Sequence, residues 1–79
     1  MALRYTLSQD ELDGHAQESM YGAAARERVA QASETERSEI AEQVREEIGN
    51  GVEEIYALDH AIADVLFDGD LSQLCVGQG

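Results

Sequence analysis

The sequence predicts an all-α fold, a small helical bundle of three main helices with a short fourth helix near the C-terminal end and an extended segment at the N-terminus. Three observations carry this. The spacing Ser-x-x-Glu that caps helix starts occurs twice ahead of an apolar-periodic run, at Ser8–Glu11 and Ser33–Glu36. Apolar residues recur at intervals of three and four rather than two. Clusters of Gly, Asn and Asp divide the periodic stretches, at Gly49-Asn50-Gly51 and Asp68-Gly69-Asp70. A chain of 79 residues allows one domain, residues 1–79, and a modest core.

From Met1 to Leu7 the pattern alternates, with Leu3, Tyr5 and Leu7 opposite Ala2, Arg4 and Thr6, which suits a short strand. Such a strand needs a mate: the Leu74-Cys75-Val76 segment, a second chain, or the helices on which it lies extended. The first helix is expected to begin at Gln9. Ser8 and Glu11 satisfy each other's amides, Asp10 and Glu11 suit the positive helix end, and Leu7 and Leu12 flank the cap. Its apolar positions form two stripes, Leu12, Ala16, Met20 and Ala23, then Tyr21, Ala25, Val29 and Ala32, displaced around the cylinder. Gly14 and Gly22 each weaken a helix by roughly 1 kcal/mol relative to alanine, so a bend or break is expected near Gly22.

Ser33 starts the second helix, whose narrow apolar stripe is Ile40, Ala41, Val44 and Ile48 and whose remaining surface carries Glu36, Glu39, Glu42, Glu46 and Glu47. Gly49-Asn50-Gly51 stops it by supplying a left-handed residue, and Asn50 is a candidate cap for the following helix. That third helix, about Val52 to Phe67, is the most apolar, with Ile55, Leu58, Ile62, Val65 and Leu66 on one face and Glu53, Glu54, His60 and Asp64 away from it. Asp70 is placed to cap a final short helix from Leu71 to Cys75.

The charge balance narrows the function. The formal net charge is -12, all five basic residues are arginines, and lysine is absent. Phosphate backbones and anionic leaflets repel such a chain, so the expectation is no direct nucleic acid binding and no membrane binding; the complementary partner is a basic protein surface. With one cysteine and no long apolar run, a reducing, cytoplasmic setting is expected. Solvation of a small protein or adaptation to salt explains the same acidity without a partner.

Catalytic constellations are weak. His60 with Asp64 and His15 with Glu18 lie one helical turn apart, but two ligands make a poor metal site and solvent-facing pairs of this kind are common, so no metal is assigned. Asp68-Gly69-Asp70-Leu71-Ser72 opens like a calcium loop, yet Gln73 stands where the sharp-turn glycine belongs and Gly79 where a bidentate glutamate belongs. Cys75 has no basic neighbour in sequence to lower its pKa and reads as structural, and Gly49-Asn50-Gly51 lacks the lysine and preceding strand of a phosphate loop. The expectation is therefore no enzyme, no catalytic residue and no cofactor.

The carboxylates remain. Glu39, Glu42 and Glu46 fall on one side of the second helix at axial separations of roughly 4 to 6 Å. Successive phosphates on a DNA strand are spaced by roughly 3.4 Å of axis, so such a row presents comparable charge to a groove lined with Arg and Lys. Glu53, Glu54, Asp59, Asp64, Asp68 and Asp70 extend the supply with no intervening arginine or lysine. On these glutamates and this acidic run, and on size and helical make-up, the chain resembles small phage-encoded inhibitors of host defence, the anti-CRISPR and anti-restriction proteins, some of which imitate DNA. The resemblance implies an inhibitor that docks its acidic face on the nucleic acid channel of a host complex, working in the host cytoplasm. The residues that would carry docking are Glu39, Glu42, Glu46, Glu53, Glu54 and Asp64, with Tyr56 or Tyr21 as an aromatic anchor. Two alternatives stand beside it: a small helical assembly subunit that homodimerises to complete its apolar stripe, and an antitoxin-like partner of a basic protein.

Overall fold

Ser8 and Ser33 start their helices by the same reciprocal cap. Ser8 Oγ accepts from the Glu11 amide at 3.2 Å while Glu11 Oε1 accepts from the Ser8 amide at 3.0 Å, and Ser33 and Glu36 repeat the exchange at 3.1 and 2.9 Å. These caps satisfy amides that the first helical turn leaves without partners. The structure, a computed structural model, describes residues 6–74. Within them lie α1 (Gln9–Glu18), α2 (Ala23–Ala30), α3 (Glu34–Gly49), α4 (Glu54–Leu66) and a 3-10 turn, Leu71–Gln73, with no strand among the described residues.

The break expected near Gly22 divides the first helical stretch into two helices, α1 and α2. α1 ends at Glu18 in a Schellman turn: the Tyr21 amide donates to Ala16 O at 3.0 Å and the Met20 amide to Gln17 O at 3.2 Å. Met20 takes the left-handed conformation, φ 60°, that this turn demands and that glycine usually supplies. The break falls just before Gly22, which becomes the N-cap of α2. It also overturns the placement of Met20 and Ala23 on a buried stripe, because Met20 is 75% exposed and Ala23 is exposed too. Tyr21, Ala25, Val29 and Ala32 are buried as the second stripe predicted.

α3 ends in the same kind of turn, with Gly51 (φ 93°) in the left-handed position, the Val52 amide donating to Glu47 O and the Gly51 amide to Ile48 O, each at 3.0 Å. Asn50 therefore closes α3 and does not cap the next helix. α4 starts at Glu54, with Glu53 as an N-cap that makes no side-chain capping bond. α4 buries Ala57, Leu58, Ala61, Ile62, Ala63 and Leu66, but Ile55, expected on that face, is 52% exposed in the first turn. Asp70 caps the terminal turn, its carboxylate accepting from the Ser72 amide at 3.1 Å, but the turn is 3-10 and ends at Gln73. Cys75 and residues 1–5 of the strand expected over Met1 to Leu7 lie outside the described residues; Thr6 and Leu7 are not in a strand, and Leu7 is buried against the core.

α3 and α4 share the largest helix-helix contact, α1 packs on α2, and α2 also touches α4. The largest fully buried side chains are Leu12, Val29, Ile40, Val44 and Ile62, one or two from every α-helix. Each contributes about 1.5–3 kcal/mol by leaving water. No polar or charged residue is buried among those described. The Gly22 amide donates to Leu74 O at 2.8 Å and ties the C-terminal segment onto the α1–α2 turn.

Met20 gives a direct test of this architecture. Replacing an exposed residue held at positive φ with glycine removes the steric cost of its Cβ. Met20→Gly is expected to stabilise the protein by roughly 0.5–1 kcal/mol, raising the melting temperature in circular dichroism by several degrees. A lower melting temperature would mean that the Met20 side chain packs rather than strains.

Candidate functional site: an acidic groove between two helices

The exposed side of α3 meets the exposed side of α4 in a shallow groove of about 690 Å³, lined by Glu39, Glu42, Gln43, Glu46, Glu47, Asp64 and Val65. The helices run antiparallel here, since a four-residue step along α3 matches a four-residue step back along α4. Gln43 Nε2 donates to Asp64 Oδ2 at 2.5 Å and to Glu47 Oε2 at 2.8 Å, and His60 Nδ1 meets Glu47 Oε1 at 3.0 Å. Gln43 thus holds two carboxylates together that would otherwise repel. Its hydrogen bond, followed by that of His60, keeps the Glu47 carboxyl below the usual carboxylate range, so Glu47 is held in its charged form.

The groove brings together four of the seven residues expected to carry docking: Glu39, Glu42 and Glu46 on one wall and Asp64 on the other. The three glutamates are exposed and make no hydrogen bond or ion pair among the described residues. Glu53 and Glu54 stand apart at the start of α4, beside His15, Ile55 and Leu58. Tyr56 lies 56% exposed, one helical turn from His60, whereas Tyr21 is a core residue. The acidic run is not one edge either, because Asp59 turns toward α1, where its Oδ1 accepts from the Tyr21 hydroxyl and meets His15 Nε2 at 2.7 Å.

That Asp59 cluster and the two groove residues Gln43 and Glu47 had no distinct signature in the sequence. The pairs read there as local, His15 with Glu18 and His60 with Asp64, give way to cross-helix partners, Asp59 and Glu47. Ser19 Oγ lies 3.4 Å from His15 Nε2, the same nitrogen that meets Asp59. A nucleophile relay needs the two ring nitrogens to face opposite groups, so this cluster clamps α1 and Tyr21 to α4 and does not activate Ser19. The T-shaped packing of His15 on Tyr21, with ring centroids 5.7 Å apart, belongs to the same clamp. Among the described residues no group of three or more His, Cys, Asp or Glu side chains is placed to hold a metal ion. No helix is long and apolar enough to cross a membrane among them.

Glu36, in the first turn of α3, is occupied by structure. Arg28 of α2 grips it with two guanidinium nitrogens at 2.6 and 3.4 Å, and this, with the Ser33 cap, lowers its pKa from the ordinary value. No protein-family model, curated protein or solved structure matches the chain.

A depressed folded-state pKa stabilises the fold above the unfolded-state pKa, and that stabilisation is lost as the pH falls through the folded value. Glu36→Gln should therefore cost roughly 0.5–1 kcal/mol near pH 7, an effect that shrinks below about pH 4.5 and vanishes once the native carboxyl is protonated. Paired thermal melts across that range measure it; a constant difference at all pH values would assign the loss to packing.

Proposed function

We propose that the protein is an acidic, protein-binding inhibitor that occludes the basic nucleic-acid-binding surface of a host complex. The observation that carries this reading is the row of Glu39, Glu42 and Glu46, exposed and without an ion pair among the described residues, beside Asp64 and Glu47 in a chain of net charge -12. Polar ties to Gln43 and His60 fix Glu47 and Asp64, so part of the negative surface is set before any partner arrives. Glu39, Glu42 and Glu46 stay available to arginine and lysine side chains. The inhibition is steric and electrostatic: the groove takes the place of a phosphate strand in the partner's channel. On this reading the likeness to anti-CRISPR and anti-restriction inhibitors, including DNA mimics, is one of mode of action, and the site of action is the host cytoplasm.

The reading of a dimerising assembly subunit draws on a different observation, the exposure of Met20, Ile55, Tyr56 and Leu71. It predicts a melting temperature that rises with protein concentration, which the monomeric inhibitor does not. A basic toxin as partner would use the same glutamates, and identification of the captured protein separates it from a nucleic-acid-binding complex.

Capture from a host lysate with the wild type and with the triple variant Glu39→Lys, Glu42→Lys, Glu46→Lys tests the proposal. The wild type is expected to retain a nucleic-acid-binding complex at low salt that added DNA or RNA displaces. The variant, with unchanged helical circular dichroism, is expected to lose inhibition and retention by ~100-fold, from three reversed contacts. Full inhibition by the variant would refute the groove as the docking site.

A further inference from the structure

α1 and α4 share little backbone contact although both bound the core, and the Asp59–His15 clamp bridges them across a gap. Two adjoining depressions of about 360 and 330 Å³ run along this gap and share His15, Glu54 and Leu58. The floor is apolar: Leu58 and Leu7 are buried beneath it, and Ile55 lies along it with half its surface uncovered. Gly14 leaves the α1 wall bare, for a Cβ built there meets no atom within 4 Å. The rim is acidic, with Glu11 and Glu18 on α1 and Glu53 and Glu54 at the start of α4.

We propose that this cleft is a second docking surface, taking an amphipathic segment of the protein partner that lays an apolar side chain on Ile55 and Leu58 and presents arginine or lysine to the glutamate rim. Charge complementarity selects this occupant. A second copy of a chain of net charge -12 would bring carboxylates to carboxylates, and nucleic acid or an anionic membrane would be repelled by the same rim. Glu11 and Glu18 are separated along α1 by about 10 Å, the length of two helical turns of such a segment. Long basic side chains suit the site, because their stems cover apolar floor while their heads reach the rim. The inference rests on the reading that the partner is a basic protein, and it adds an apolar anchor that a pure phosphate mimic lacks.

The test uses the full chain and two synthetic peptides of equal positive charge, one carrying leucines on a helical face between arginines and one with alanine in place of each leucine. Titration followed by amide chemical shifts is expected to perturb Gly14, Ile55 and Leu58, with the leucine peptide binding at least about tenfold more tightly than the alanine peptide. Gly14→Leu fills the cleft at a helical position with open space and should abolish that preference while keeping the fold. Ile55→Ser, at an exposed position, should reduce it. Equal binding of both peptides, or perturbation confined to Glu39, Glu42 and Glu46, would overturn the proposal. A dimer that Gly14→Leu dissociates would also overturn it, in favour of a second copy. Because the probe is a peptide, failure here leaves the α3–α4 groove reading intact, and the triple lysine variant reports on that groove separately.

Discussion

The packing of α4 against α3 is the constraint on which the rest of the structure depends. Ala57 and Ala61 have no exposed surface, and their small side chains let α4 lie close enough for Ile62 to join Ile40 and Val44 in one core. With so few large apolar groups, the core cannot tolerate carboxylates. Every described Asp and Glu is pushed to a rim or an outer face, and the antiparallel register decides which of them become neighbours. Like charges at helical spacing destabilise by some tenths of a kcal/mol per pair. Gln43, His60, His15 and Arg28 each link a carboxylate across a helix boundary and offset part of that repulsion.

Seen this way, the polar ties and the free glutamates divide the acidic surface. Glu36, Glu47, Asp59 and Asp64 are held by neighbours and belong to the fold as much as to any site. Glu39, Glu42 and Glu46 make no hydrogen bond or ion pair among the described residues, which leaves their carboxylates open to a partner rich in arginine or lysine. Net charge alone would serve solubility equally well, whereas a row of exposed carboxylates on one helix face suits a basic groove.

The sequence made the helices legible wherever the backbone chemistry was local. Ser8 and Ser33 announce their caps by spacing alone, and Gly49-Asn50-Gly51 announces a left-handed turn because glycine is the residue that adopts it without cost. The turn at Ser19-Met20-Tyr21 has the same hydrogen bonds as the one at Asn50-Gly51-Val52, but methionine gives no such notice. The stripe drawn through Met20 and Ala23 therefore continued a helix that had already stopped. Of the candidate site, the row Glu39, Glu42 and Glu46 was legible because it lies within one helix. The partners of His15 and His60 were not, since both lie across helix boundaries and depend on a register that helical periodicity does not specify. Ile55 failed for a related reason: the pattern places it on the apolar face, while α1 stands too far off to cover it.

Whether the glutamates of α3 occupy a partner's nucleic acid channel, as proposed, is measured most directly by the affinity for the captured complex across a salt series, with and without bound nucleic acid. Docking in that channel gives an affinity that falls steeply as salt rises and binding that excludes nucleic acid, because both ligands neutralise the same basic side chains. An affinity that holds through high salt, together with a ternary complex containing nucleic acid, would contradict it and leave the acidity of this surface to solvation.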